Sequence, residues 1–238
     1  MSRKMIIFMA VLAYTGFPVS PGIVRAAALY ADVSVYSVYI WRGFTLDDDP
    51  VMQTGLSTSL KGVDAGVWGS YGILTDDLLA SEEFDWFISC PFTFSGINIS
   101  IGNTWYTFPA ADTASAEVFV NASFDTAVSP SLTVFCDYGD PAEGGGEGVY
   151  VSADAVIPLS GAEGGLPLSL ALHAGYNSGL FINGSGIDVS LTLSALITAK
   201  DGATVTPSLS YSVPSGGLAA VSDGNQPAQL FCGIKSAF

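Results

Sequence analysis

The chain has 238 residues and a mass of 24.6 kDa; 12% of its residues are charged, against roughly 25% in an ordinary soluble domain, while 49% are hydrophobic and mean hydropathy is +0.46. That balance excludes an ordinary cytosolic enzyme. It also excludes a disordered chain, which would carry more charge and less apolar surface.

Residues 1–28 have the layout of a secretory signal: Arg3 and Lys4 form a basic start, Met5 to Tyr14 an apolar stretch, and Ala26-Ala27-Ala28 a small-residue cleavage site. The apolar stretch is shorter than the roughly 20 residues a spanning helix needs, so an uncleaved anchor is the weaker reading. The expected organisation is a cleaved signal peptide over 1–28 and one domain over 29–238. After cleavage four basic side chains, Arg42, Lys61, Lys200 and Lys235, face 22 acids, a net charge of −18. Nucleic acid is excluded as a partner, because phosphate contacts need Lys and Arg clusters.

Past the signal, apolar and polar residues alternate segment by segment. This is the pattern of strands that show one face to a bilayer and one to a polar interior. On the first segment Val33, Val35, Tyr39 and Trp41 oppose Asp32, Ser34, Tyr36 and Arg42, which predicts one strand running through Arg42. Met52, Leu56 and Leu60 follow, and then Ala65, Val67 and Tyr71 against Asp64, Gly66, Trp68 and Ser70. Phe84, Trp86, Ile88, Cys90, Phe92 and Phe94 oppose Glu83, Asp85, Ser89 and Thr93, and Ile97, Ile99, Ile101 and Trp105 oppose Asn98, Ser100, Gly102 and Thr104. Val118, Val120 and Phe124 alternate with Glu117, Asn121 and Ser123, and Leu132, Val134, Cys136 and Tyr138 with Thr133 and Asp137. Val149, Val151, Ala153 and Ile157 oppose Tyr150, Ser152 and Asp154, and Leu168, Leu170, Leu172 and Ala174 oppose Ser169, His173 and Gly175. The last three segments place Ile187, Val189, Leu191 and Leu193 against Asp188 and Ser190, Val205, Leu209 and Tyr211 against Ser and Thr, and Leu230, Cys232 and Ile234 against Gly233 and Lys235.

These twelve segments predict an all-β fold: a single up-and-down antiparallel transmembrane β-barrel of about 12 strands, both termini at one end. Closure satisfies every backbone group inside a membrane. The connections alternate as such a barrel requires, short at Lys61 to Val63 and Ser95-Gly96, longer and more polar at Gly43 to Pro50, Tyr106 to Ser115 and Pro214 to Pro227. Pro158 to Leu166 is long for a turn. Trp41, Tyr71, Trp86, Trp105 and Tyr138 are expected as an aromatic girdle at one rim, with Phe94, Phe124 and Phe238 at the other. A secreted β-sandwich would alternate too, but would have to hide nearly the whole outward phase in one core.

Cys90, Cys136 and Cys232 fall on the apolar phase of strands that are not neighbours, so they read as small lipid-facing residues, with no disulfide or metal site. No cofactor is called for. His173, the only histidine, falls on the inward phase and reads as a polar lining residue, whereas outer-membrane phospholipases place their Ser and His on the lipid-facing side. An enzyme is not expected. The terminal Phe238, with apolar residues on alternate positions back to Leu230, looks like the C-terminal signal of bacterial outer-membrane proteins, read by the barrel-assembly machinery.

Several motifs together resemble the TorF-type porins of the bacterial outer membrane: Ser37-x-Tyr39-x-x-Arg42-Gly43, Gly66-Val67-Trp68-Gly69-Ser70, Glu83-x-Asp85, Tyr106-Thr107-Phe108 with Glu117, and Ser129-Pro130-Ser131-Leu132, thinning after about Asp137. The resemblance implies a passive channel in the outer membrane, with lipid around it and small polar solutes or ions passing through it.

Glu83, Asp85, Glu117, Asp137 and Asp188 share the inward phase near the outer ends of their strands and are expected to form an acidic arc lining the pore. Arg42, at the same height on the first strand, is expected to face that arc across the lumen; Asp154 and Lys235 also share the inward phase. More carboxylates than cations favours weak cation selectivity. The alternative is a structural or adhesive barrel with a filled lumen.

Overall fold

The computed structural model describes residues 28–74, 81–109, 111–140, 145–159, 166–200, 202–220 and 227–238. Apart from Ala28, which opens the first strand, the expected signal segment lies outside these residues. The strands are β1 (Ala28–Tyr36), β2 (Tyr39–Trp41), β3 (Phe44–Asp47), β4 (Val51–Leu60), β5 (Val63–Gly72), β6 (Ser81–Phe94), β7 (Ile97–Phe108) and β8 (Thr113–Phe124). They continue as β9 (Ser131–Asp137), β10 (Val149–Pro158), β11 (Leu168–Ser178), β12 (Ser185–Ala195), β13 (Ile197–Thr198), β14 (Thr204–Gly216) and β15 (Gln229–Ala237).

Twelve of these close into one barrel. Each of β4 to β12 pairs antiparallel with its sequence neighbour, β12 pairs with β14, β14 with β15, and β15 with β1, which returns to β4. The short β13 adds two residue pairs to β14. At the seam between first and last strands Phe238 donates its amide to the Ala31 carbonyl at 2.9 Å, so the final residue completes the β1–β15 ladder.

Turn chemistry fixes register at the end carrying the termini. Lys61-Gly62 and Ser95-Gly96 each place both central residues at positive φ (51° and 80°, 50° and 82°), the two-residue turn whose twist matches that of the flanking strands. Because side chains alternate strictly, that register decides the face of every residue beyond the turn.

The resulting surface is the reverse of a soluble protein's. Trp86, Ile101, Val118, Leu132 and Leu191 stand on the outer wall, 45–53% exposed, while Ser100, Ser152 and Asp188 on the inner wall are 0% exposed. Cys90, Cys136 and Cys232 are free and exposed on β6, β9 and β15.

The first segment departs from the expectation. Barrel strand β1 stops at Tyr36, and Tyr39 to Asp47 form a separate two-stranded hairpin, β2–β3. Its turn is Arg42-Gly43, at φ 50° and 80°, the same turn chemistry as Lys61-Gly62. A side chain at Gly43 would also place its Cβ 2.7 Å from Asp188 Cβ, so both the backbone and the space require glycine there. Arg42 is therefore at a hairpin tip and not on the first barrel strand. Tyr39 and Trp41 keep the period-2 phase of Val33 and Val35, although Val38 and Ile40 between them are apolar as well.

Candidate functional site: the hairpin inside the barrel

The β2–β3 hairpin folds into the barrel at the end opposite the termini, and its side chains reach the wall in several directions. Tyr39 donates to Glu83 Oε2 on β6 at 2.8 Å and packs against Trp68 of β5, the rings tilted and 5.8 Å apart. Arg42 grips Glu117 of β8 with both nitrogens, Nη1 to Oε1 at 2.5 Å and Nη2 to Oε2 at 2.9 Å. On the far side Thr45 accepts from Gln229 of β15 at 2.7 Å.

The Arg42 guanidinium sits in an aromatic cage, 4.4 Å from the Trp41 ring centroid, 4.0 Å from Phe135 and 4.7 Å from Tyr150. Cation–π attraction and a forked carboxylate suit arginine's planar charge. Burial alone would make this guanidinium less basic, but the Glu117 carboxylate more than reverses that, and Arg42 is held above its ordinary range as a permanent cation. Burial, and then the Glu83 charge, push the Tyr39 hydroxyl well above its ordinary value, so it serves as a donor. Arg42 thus contacts one carboxylate directly. It does not face an acidic arc across open space, which corrects the sequence expectation.

Each remaining expected residue has a distinct setting. Glu83 and Asp85 lie side by side on the inner face of β6, 3% and 2% exposed, and Asp85 Oδ1 accepts no hydrogen bond among the described residues. Glu117 also accepts from the Tyr106 hydroxyl at 2.7 Å. Asp137 accepts from Ser115 Oγ at 2.5 Å and from the amides of Gly139 and Gly146 at 2.9 and 3.1 Å, so it anchors the connection after β9. Asp154 and Asp188 both bind His173, at Nδ1 (2.6 Å) and Nε2 (3.2 Å), and Tyr150 donates to Asp188 at 2.7 Å. Lys235 lies near the other end of the barrel, 3.2 Å from Asp32. Phe238 is exposed on the outer wall. The structure therefore brings Arg42, Glu83, Asp85 and Glu117 together with the hairpin, gathers Asp154 and Asp188 on His173, and leaves Lys235 apart.

Inward aromatics are the feature the alternation argument missed. Phe119, Phe135, Tyr150 and His173 stand ring beside ring across β8 to β11, with successive centroids 5.9, 6.1 and 6.4 Å apart. Phe87 lies across Gly66, Phe119 across Gly102 and Tyr36 across Gly233, each glycine being the cross-strand partner of its ring. A glycine opposite an aromatic on the polar phase was the available signal. Trp41, expected at the lipid rim, is instead inside, 5.9 to 6.1 Å from Tyr106, Phe44 and Phe181.

The fold is that of the solved KdgM porin. The KdgM porin matches with a TM-score of 0.58 at 9% identity, covering 88% of this chain and 98% of that one. The KdgM porin in complex with disordered oligogalacturonate matches with 0.57 at 9% identity, covering 90% and 98%. The anion-selective porin from Comamonas acidovorans has a TM-score of 0.35 at 12% identity, over 89% and 98%. At these identities the KdgM likeness establishes the barrel architecture. No curated protein matches the chain. The TorF name expected from the motifs is not the one the matching family carries, although a porin-like barrel is common to both. The family model described as a bacterial protein of unknown function, Gcw_chp, matches residues 24–211, and the chain belongs to that family.

Proposed function

We propose that the chain is a passive, narrow channel of the bacterial outer membrane that passes small polar solutes or ions with a weak preference for cations. The observation that carries this reading is the inverted barrel, apolar on the outer wall and lined inside by Ser, Thr, Asn and carboxylates. Such a molecule is stable only with lipid around it. In this reading a signal peptide over residues 1–28 is removed on export, the barrel occupies 29–238, the long connections face outward, and the barrel-assembly machinery reads the strand ending in Phe238.

The cation preference rests on charge. Asp32, Asp64, Glu83, Asp85, Glu117, Asp137, Asp154 and Asp188 lie on the inner face, against Arg42, Lys235 and His173. The cations are already engaged with Glu117, Asp32 and the Asp154–Asp188 pair, so the surplus is negative. His173 is held in the interior by those carboxylates and Tyr150, which supports a channel over an enzyme.

A barrel with a filled lumen, structural or adhesive, is the second reading, and the hairpin contacts running from β5 to β15 favour it. Planar-bilayer recording separates the two. The channel reading expects discrete conductance steps and a reversal potential of cationic sign in a KCl gradient, reduced in Asp85→Asn/Glu117→Gln. Absent conductance favours the filled barrel. Anion preference, or indifference to these residues, overturns the selectivity assignment.

A further inference from the structure

Beside the Arg42 cage, at the end of the barrel opposite the termini, lies a partly open cavity of about 140 Å³ walled by Trp41, Phe44, Tyr106, Phe108 and Phe181, with Glu83 among its lining residues. The volume is comparable to the roughly 150 Å³ that accepts a benzene-sized ligand. We propose that this cavity binds a small organic cation with an aromatic or alkyl body, of the substituted-ammonium class. The proposal deepens the cation-channel reading and rests on it for its place in transport.

Three observations carry it. First, the wall is a set of aromatic rings around Trp41, which is 6.0 Å from Phe44, 5.9 Å from Tyr106 and 6.1 Å from Phe181. Aromatic faces attract a desolvated cation through their quadrupoles, most strongly at tryptophan. Second, the charged side chain in the cavity lining is a carboxylate, Glu83. Asp85 lies one inward position further along β6, 2% exposed, with Oδ1 accepting no hydrogen bond among the described residues. Arg42, the nearby cation, has its charge matched by the forked bond to Glu117. Third, the molecule already holds a cation by this chemistry: Trp41, Phe135 and Tyr150 surround the Arg42 guanidinium, with Glu117 as its carboxylate. The cavity likewise sets aromatic rings beside a carboxylate, Glu83, whose Oε2 accepts from Tyr39, and Trp41 belongs to both.

The same facts argue against other ligand classes. A sugar stacks on aromatics but needs several polar partners; the Tyr106 hydroxyl is committed to Glu117, and among the described residues Glu83 is the only charged side chain in the lining. An anion would meet no basic side chain in the lining among the described residues.

The test is titration of the full-length barrel in detergent micelles with phenyltrimethylammonium, benzyl alcohol as the neutral comparison and benzoate as the anionic one. Binding is read by calorimetry and tryptophan fluorescence. The expected result is saturable binding of phenyltrimethylammonium at least tenfold tighter than either comparison, weakened about tenfold or more in Glu83→Gln and in Phe181→Ala. Heat-modifiability on gels checks that each variant is a folded barrel, and Phe181, in the connection after β11, keeps the test available if Glu83→Gln does not assemble. Equal binding of benzyl alcohol, preference for benzoate, or unchanged affinity in folded Glu83→Gln or Phe181→Ala overturns the proposal. Conductance is measured on the same preparation. Selective binding without conductance upholds this site and sinks the channel reading; conductance without binding sinks the site alone.

Discussion

Replacing Arg42 by alanine should release the β2–β3 hairpin while leaving the barrel closed. Arg42 and Glu117 are buried, with side chains 8% and 1% exposed, and removing one partner of such a pair costs on the order of 3–5 kcal/mol because the other charge is left unmatched. Tyr106 would still donate to Glu117, which argues for the lower end, about 3 kcal/mol. Loss of the contacts with Trp41, Phe135 and Tyr150 adds roughly 1 kcal/mol. The cost falls on docking and not on the barrel, because a released hairpin lets water reach Glu117. About 4 kcal/mol is close to a thousandfold change in the ratio of docked to released hairpin. Single-channel recording should then show larger conductance and stronger cation preference, and limited proteolysis should cut between Gly43 and Pro50 while the barrel keeps its heat-modifiable mobility. Arg42→Lys, which keeps the charge but loses the fork, should fall between native and alanine. Native conductance together with native protease resistance in Arg42→Ala would refute the argument that this ion pair holds the hairpin.

The other expectations concern the wall. Arg at Val118, Leu170 or Leu191 should cost about 2–4 kcal/mol near the bilayer midplane, read as loss of folded barrel in lipid, whereas Ser190→Ala inside should change little. Gly175→Ala should destabilise by roughly 1–3 kcal/mol in urea unfolding, since its Cβ would overlap the Tyr150 hydroxyl and the Asp188 carboxylate; native stability would mean the His173 cluster yields freely. Deleting Phe238 should leave export intact but lower outer-membrane barrel yield, because the residue completes the β1–β15 seam; normal yield would count against both roles.

How a residue becomes legible from sequence depends on how far away its partners lie. Alternation of period 2 is local, so it placed Val118 outside and Glu117 inside without knowledge of any other strand. Twelve such segments, with Gly-containing two-residue turns after two of them, are enough for strand number and closure, since a lipid environment leaves a charge-poor β-chain no open edge. The hairpin is hidden because Tyr39 and Trp41 keep the phase of Val33 and Val35, and because Arg42-Gly43, which has the form of Lys61-Gly62, falls where that segment ends.

Composition and alternation by themselves determined that this chain is a twelve-stranded barrel with a polar, acidic interior, because those properties follow from each residue's own transfer energy and from the pleat. What crosses the interior was decided only by the tertiary structure. Arg42 meets Glu117 across 75 residues of sequence, Gln229 reaches Thr45 across 184, and Asp154 and Asp188 converge on His173 from different strands. Such contacts depend on barrel circumference and strand stagger, quantities fixed only when the last strand closes on the first, and no periodicity within one strand encodes them.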